Sequence, residues 1–245
     1  MTLGVVDWGI GGLGLVCALP AGADILYASD AGAPPYGRLR AGALSARLLQ
    51  VVCALHARGA DEVVVACNAA SSVLPLAGAP CPVRGVIEAG VEAALAVPGV
   101  IGVIGGERTI AAGRHAAALR AAGRTVRPRV AQPLSALVEQ GRLSGPAVEA
   151  TVDAVLAPLA GVDVLLLACT HYPALAPVLQ ARCPGARLVD PVAVVAAGLS
   201  TEPGALSVVT SGDPAQTRAA ALAAWGLDVG PVGAAWWPQW PMSRE

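Results

Sequence analysis

The sequence has 245 residues, of which 55% are hydrophobic and 13% charged, and its formal net charge is -1. All 16 basic residues are arginine. This excludes Schiff-base aldolases, enzymes with an internal pyridoxal-phosphate aldimine and Walker-type phosphate loops, because each needs a lysine amine. The balanced charge provides no basic stripe, so nucleic acid is not an expected partner.

Short apolar runs typical of strands alternate with alanine-rich stretches typical of helices. Strands are predicted at Leu3–Asp7, Asp24–Ala28, Glu62–Ala66, Val83–Ile87, Val100–Ile104, Val126–Val130, Val162–Ala168, Ala186–Val189 and Leu206–Thr210. Helices are predicted at Leu39–Arg58, Ala111–Ala122, Pro146–Leu159, Ala174–Arg182 and Ala215–Trp225. Gly59 and Gly123 are expected to be left-handed caps, and Asp213 before Pro214 an N-cap. The alternation predicts an α/β fold with mostly parallel sheets.

The compartment is predicted from what the chain lacks. No secretory signal is evident, and apolar runs such as Val162–Ala168 are too short to cross a bilayer. The six cysteines show no C-x-x-C spacing, and the histidines are far apart in sequence. The sequence therefore predicts a cytoplasmic protein with reduced thiols, without a metal site and without membrane contact.

A weak internal duplication predicts two similar lobes. The strand that ends at Asp7 resembles the one at Ile101–Gly105, and Glu62–Asn68 resembles Val164–Thr170. Chance similarity between two α/β halves is the alternative. If the duplication is real, each lobe places a cysteine, Cys67 or Cys169, just beyond a buried strand. Open α/β sheets bind their ligands at that edge.

A glycine-rich turn offers a competing interpretation. Gly9, Gly11 and Gly14 satisfy G-x-G-x-x-G directly after a strand, and Asp30 follows at the distance of a ribose-binding acid. This pattern would indicate an NAD-dependent dehydrogenase. The helix that follows is unusually short for that purpose, so a plain strand-to-helix turn is favoured.

The two repeated cysteines point to proton transfer. Cys67 precedes Asn68, and Cys169 precedes Thr170 and His171. Inverting a carbon stereocentre without a cofactor needs a base on one face and an acid on the other, and a thiol can serve as either. Asp7 and His171 are candidates to assist the two thiols. The alternative, that a cysteine is only a small apolar residue, is accepted for Cys17, Cys53, Cys81 and Cys183.

These strings resemble the cofactor-independent glutamate racemases of the aspartate/glutamate racemase superfamily. The matching segments are Val6–Leu13, Ser29–Asp30, Pro35–Gly37, Ala66–Ser71, Gly85–Gly90, Gly102–Gly105, Leu137–Glu139, Ala168–Pro173 and Thr210–Pro214. The resemblance implies two lobes around a cleft, with Cys67 and Cys169 as the opposed acid/base pair. It also implies support from Asp7, Glu139 and His171, and substrate contacts from Asp7, Tyr36, Gly37, Asn68, Thr170 and His171. No cofactor is implied, and the role would lie in cell-wall peptidoglycan biogenesis.

Three positions depart from the family pattern. Trp8 and Ala69 stand where the family has a serine and a threonine that donate hydrogen bonds to the substrate. Losing such a donor beside a charged carboxylate costs about 1.5–3 kcal/mol. Gln132 stands where the family usually has cysteine. Trp8 and Ala69 are therefore expected to line an altered substrate pocket.

Together these features predict a two-lobed racemase with its active site in the cleft. The first lobe is assigned residues 1–89 and 204–245, and the second residues 90–203. Glutamate is the leading substrate. A divergent isomerase, epimerase or other cysteine-based enzyme of secondary metabolism, acting on a larger or more apolar carboxylate, is the main alternative, followed by a non-catalytic binding homologue. A homodimer is left open. The tryptophan-rich stretch 236–241 either forms an interface or, as favoured here, folds back over the first lobe.

Overall fold

The computed structural model describes residues 1–19, 24–199 and 204–240. The strands are β1 (Thr2–Asp7), β2 (Asp24–Ser29), β3 (Glu62–Val65), β4 (Val83–Arg84), β5 (Ile101–Gly105), β6 (Val126–Val130), β7 (Val164–Ala168), β8 (Arg187–Val189), β9 (Leu206–Thr210) and β10 (Val232–Ala234). The helices are α1 (Leu13–Ala18), α2 (Ala41–His56), α3 (Asn68–Ser71), α4 (Ile87–Leu95), α5 (Glu107–Ala112), α6 (Arg114–Ala121), α7 (Gln132–Glu139), α8 (Pro146–Leu156), α9 (Ala176–Arg182), α10 (Pro191–Ala197) and α11 (Pro214–Trp225). Short 3-10 turns lie at Tyr36–Arg38, Ala157–Leu159 and Tyr172–Leu175.

The strands form two sheets, and every strand pairing within the described residues is parallel. One sheet has the order β10-β9-β2-β1-β3-β4 and the other β6-β5-β7-β8. The order β2-β1-β3-β4 thus recurs as β6-β5-β7-β8, which gives the two halves the same local topology. The predicted α/β fold with two parallel, pseudo-symmetric sheets is confirmed.

The strands are parallel because their connections cross over through helices, which cover the sheets and bury their apolar side chains. Each residue of β5 and β7 is buried. One apolar cluster runs from Val5 of the first sheet to Leu167 of the second and includes residues of α1 and α10, which pack against each other. This shared core holds the carboxyl edges of the two sheets against one cleft.

Several local predictions are corrected or confirmed. The predicted helix Ala111–Ala122 is split into α5 and α6, because Gly113 adopts a left-handed φ of +67°. The predicted strand Val83–Ile87 stops after Arg84, since Ile87 begins α4. The edge strand β10 was not predicted. The expected left-handed caps are confirmed at Gly59 and Gly123, with φ of +97° and +77°, and Asp213 caps α11 by accepting two backbone N–H bonds.

Helix α4 crosses the predicted boundary between residues 89 and 90. It packs against β7, α6 and α10, all elements of the second half. The exact division into lobes stays a prediction. Within the described part of the chain, no helix is both long enough and apolar enough to cross a membrane.

The tryptophan-rich stretch folds back over the first sheet, as favoured from the sequence. Trp237 is buried, and its indole Nε1 donates a hydrogen bond of 2.9 Å to Asp30. Arg47 donates to the carbonyl of Pro238 at 2.6 Å and stacks on the Trp240 ring. An interface at this stretch stays a prediction, since Trp236 and Trp240 are only half-buried, and Pro241 lies outside the described residues.

Candidate active site

A cavity of about 550 Å³ opens where the carboxyl ends of both sheets meet. Every site residue predicted from the sequence lines it: Asp7, Trp8, Tyr36, Gly37, Cys67, Asn68, Ala69, Glu139, Cys169, Thr170 and His171. They come together because parallel strands end at the same edge of a sheet: β1 ends at Asp7, β3 just before Cys67, and β7 just before Cys169.

The glycine-rich turn lets the second half approach the first. A Cβ on Gly9 would overlap the Glu139 carboxylate, and a Cβ on Gly11 would overlap Thr170 and crowd His171. These glycines therefore make room for side chains of α7 and of the loop after β7. Asp30, which the dinucleotide interpretation would place on a ribose, is fully buried in an ion pair with Arg47. The dinucleotide interpretation is wrong.

Cys169 stands at one end of a charged relay. His171 Nδ1 lies 3.7 Å from the Cys169 sulfur, and its Nε2 lies 2.5 Å from the Glu139 carboxylate. The Ile10 backbone N–H also donates to that carboxylate, at 3.3 Å. Desolvation favours a neutral His171 ring, but the hydrogen bonds and negative charges of Cys169 and Glu139 outweigh it and raise the pKa of His171 well above its ordinary value. This favours the imidazolium form of the ring, which lies between the Cys169 sulfur and the Glu139 carboxylate.

Glu139 is held ionised by the same relay. Desolvation acts to raise the pKa of its carboxyl, but the hydrogen bond and charge of His171 and the Ile10 N–H together lower it. The pair is half enclosed, since the Glu139 side chain is 27% exposed and that of His171 only 6%. Glu139 therefore fixes both the orientation and the charge of the imidazolium.

Cys67 has a different environment. Desolvation, followed by the nearby Asp7 carboxylate, raises the pKa of its thiol well above the ordinary value, although the backbone N–H groups of Ala70 and Ala69 oppose this. Both sulfurs belong to residues that line the same cavity. At neutral pH Cys67 keeps its proton.

Asp7 joins the two halves beside Cys67. Its carboxylate accepts hydrogen bonds from the Thr170 hydroxyl at 2.8 Å and from the Trp8 backbone N–H at 2.7 Å. Burial nevertheless raises the pKa of Asp7, against the charge of His171 and the Thr170 bond. Asp7 is thus a carboxylate that can take up a proton beside the Cys67 thiol.

Unpartnered polar atoms mark where a ligand can bind. Asn68 is 1% exposed, and neither its amide nitrogen nor its amide oxygen has a partner among the described residues. The buried hydroxyl of Ser29, at the end of β2, is likewise unpaired. Buried polar groups are nearly always hydrogen-bonded in folded proteins, so these atoms are suited to a polar ligand. Ser29 was not predicted as a site residue, although it stands in the Ser29–Asp30 match.

The remaining wall is partly apolar. The indole Nε1 of Trp8 donates to the Ala33 carbonyl at 2.8 Å, which fixes the ring in the cavity wall against the first half. The Tyr36 hydroxyl donates to Asp30 at 2.8 Å. Gly37 has open space where a Cβ would stand. The polar cluster at the thiols is therefore flanked by an aromatic wall.

Arg108 of α5 also lines the cavity, and no motif pointed to it. Among the described residues there is no group of three or more His, Cys, Asp or Glu side chains that could hold a metal ion.

Comparisons with known proteins identify the family. The family model described as Asp/Glu/Hydantoin racemase matches residues 17–199. The chain belongs to this family. It is 36% identical to a glutamate racemase from Desulforudis audaxviator over 205 residues, which cover 78% of this chain and 75% of that one. A glutamate racemase from Shouchella clausii is 37% identical over 204 residues, 77% of this chain and 72% of its own.

Solved structures agree with this assignment. The Thermus thermophilus glutamate racemase, solved with β-chloro-D-alanine, superposes with a TM-score of 0.82 at 27% identity, covering 95% of this chain and 96% of its own. The Bacillus anthracis glutamate racemase isoform RacE1 superposes with a TM-score of 0.85 at 25% identity, covering 95% of this chain and 96% of its own. The prediction of a racemase-type isomerase is confirmed at the level of the family.

Proposed function

We propose that this protein is a cofactor-independent glutamate racemase in which Cys67 and Cys169 transfer protons at the α-carbon. The observation that carries the proposal is the pair of thiols that line one cavity, each placed there by the end of a parallel strand. Burial and the Asp7 carboxylate raise the pKa of the Cys67 thiol, whereas the Cys169 sulfur lies 3.7 Å from the Nδ1 atom of His171. The names of the relatives support glutamate as the substrate.

The reaction conserves atoms and electrons. The Cys169 thiolate removes the α-proton from one face of the substrate and becomes a thiol, and the electron pair of the broken C–H bond stays on the substrate as a carbanion. The Cys67 thiol then gives its proton to the opposite face and becomes a thiolate. The reverse direction uses the same two groups with their roles exchanged.

The neighbouring residues support each half of this exchange. Glu139 holds His171 protonated beside the sulfur of Cys169. Asp7 accepts the proton from Cys67 when that residue must act as the base. Asn68, Thr170 and the Tyr36–Gly37 turn bind the polar groups of the substrate.

We further propose that the enzyme works in the cytoplasm, where D-glutamate would serve peptidoglycan synthesis. All six cysteines are free thiols, and a reducing compartment keeps the catalytic pair reduced. We also propose that the protein forms a homodimer and that its chain divides into two lobes near residues 89 and 203.

A second candidate is a racemase or epimerase for a larger or more apolar carboxylate. It is favoured by the Trp8 ring and the Ala69 methyl group in the cavity wall. A panel of acidic and aromatic amino acids, each tested for loss of optical activity, separates the two candidates.

The test is racemisation of L- and D-glutamate, followed by circular dichroism without added cofactor. Both enantiomers should decay to the racemate. Cys67→Ala and Cys169→Ala should each lower the rate by about 100- to 10,000-fold, while Cys53→Ala, an exposed cysteine outside the cavity, should match the wild type. A folded protein that leaves glutamate unchanged would refute glutamate as the substrate. A fully active Cys67→Ala variant would refute the two-thiol mechanism.

A further inference from the structure

Arg108 lines the cleft, and only some of the hydrogen-bond donors of its guanidinium have partners in the part of the chain that the structure describes. It lies on α5, which packs against α3 and against the 3-10 turn Tyr36–Arg38. One of its terminal nitrogens donates to the carbonyl of Leu39 in the first half. Its Nε is buried and has no hydrogen-bond partner among the described residues. A buried guanidinium N–H without an acceptor is unusual, because such groups are normally paired.

Within the described residues, no carboxylate forms a salt bridge with Arg108. The acids that line the cavity have other partners or face solvent. Glu139 pairs with His171, Asp7 accepts from Thr170, and Asp213 caps α11, whereas Glu107 is exposed. The cavity therefore contains a positive group that lacks a protein counterion.

Arg108 enters the cavity from a different element than the two thiols, which follow β3 and β7. Asn68 and Thr170 directly follow the two thiols in the chain and line the cavity with them. Arg108 instead follows β5 and reaches across to Leu39, beyond the Tyr36–Arg38 turn. Because Arg108 lines the same cavity as the two thiols, a substrate bound between the thiols shares that space with this guanidinium.

We infer that Arg108 determines specificity by binding a distal carboxylate of the substrate, which selects acidic over neutral amino acids. This inference rests on the proposed racemase function and adds the group that distinguishes glutamate from its neutral analogue. A guanidinium matches the planar geometry of a carboxylate and can donate two parallel hydrogen bonds to it.

The test compares L-glutamate with L-glutamine, which differs only in replacing the distal carboxylate by an amide. Binding is measured by isothermal titration calorimetry, which does not depend on turnover. Arg108→Gln removes the charge but keeps a donor that can reach a carbonyl. Arg114→Gln is the matched control, because Arg114 also donates to first-half carbonyls, those of Ser71 and Leu74, yet does not line the cavity.

The wild type should bind glutamate at least 10-fold more tightly than glutamine. Arg108→Gln should weaken glutamate binding by about 10- to 100-fold and leave glutamine binding within twofold. Arg114→Gln should leave the ratio of the two affinities unchanged. Arg108→Lys, which retains the charge, should keep most of the preference and provides the test if Arg108→Gln does not fold.

The inference is overturned if the wild type binds both ligands equally or binds neither. It is also overturned if Arg108→Gln weakens both to the same extent, since that result indicates only a contact between the lobes. Racemisation of glutamate without an effect of Arg108→Gln would refute the specificity role and leave the racemase proposal standing. Preferential binding of glutamate without any racemisation would refute the racemase proposal and leave the specificity role of Arg108 standing.

Discussion

Replacing Gly11 with alanine should disable the site while leaving the fold intact. The added Cβ would lie 2.3 Å from the Thr170 hydroxyl oxygen, whereas ordinary contact begins at 3.4 Å, so that oxygen must withdraw by about 1.1 Å. The same Cβ would lie 2.8 Å from His171 Nδ1. A misplacement of about 1 Å in a catalytic group can cost roughly 100-fold in rate. Gly11 does not have a positive φ, so the backbone itself tolerates alanine.

The assay is kcat/KM for glutamate racemisation, together with thermal unfolding. Gly11→Ala should lower kcat/KM by about 100-fold and change the midpoint of unfolding only slightly. Gly42→Ala is the matched control, because a Cβ there meets no atom within 4 Å, and its activity should equal that of the wild type. Activity of Gly11→Ala within threefold of the wild type would refute the close approach of the two halves at this turn.

Further predictions concern protonation and the carboxy-terminal stretch. Burial lowers the pKa of His115 to about 4 from an ordinary 6.5. As the pH falls below 6.5, His115 is protonated in the unfolded chain but not in the folded protein, so the free energy of unfolding decreases. Between pH 7.5 and 5 the loss should be roughly 2 kcal/mol in urea unfolding, and His115→Leu should lack this part of it; an identical acid loss in the variant would contradict the assignment. Trp237→Phe removes a donor to the buried Asp30 carboxylate and should cost about 1.5–3 kcal/mol of unfolding free energy, whereas a change below about 0.5 kcal/mol would contradict this. Glu139→Gln removes a negative charge that raises the pKa of His171, so the alkaline limb of kcat/KM should move to lower pH; an unmoved limb would show that Glu139 does not hold the imidazolium.

The strand ends and their chemistry could be predicted because the signal is local. An apolar run followed by a cysteine and a polar residue predicts a buried strand that delivers a thiol to the sheet edge. This holds for Cys67 after β3 and for Cys169 after β7. The repeated strand order could be anticipated for the same reason, since the two halves share these strings.

Features that depend on distant contacts could not be predicted from the sequence. Gly9 and Gly11 of the turn are explained by Glu139, Thr170 and His171, which lie more than 100 positions away and meet the turn in the cleft. Its local pattern is the same as that of a nucleotide-binding turn, so periodicity could not separate the two. The edge strand β10 spans only Val232–Ala234 and contains a glycine, and its stability comes from pairing with β9.

The most direct test of the two-thiol mechanism is deuterium incorporation during the first turnovers of L-glutamate in deuterium oxide. If Cys169 removes the proton and Cys67 returns a solvent-derived one, the D-glutamate formed should carry deuterium at the α-carbon. The recovered L-glutamate should still carry protium, as proton nuclear magnetic resonance of the separated enantiomers can determine. Deuterium entering the recovered L-glutamate as fast as the product would contradict two opposed thiols and indicate a single base.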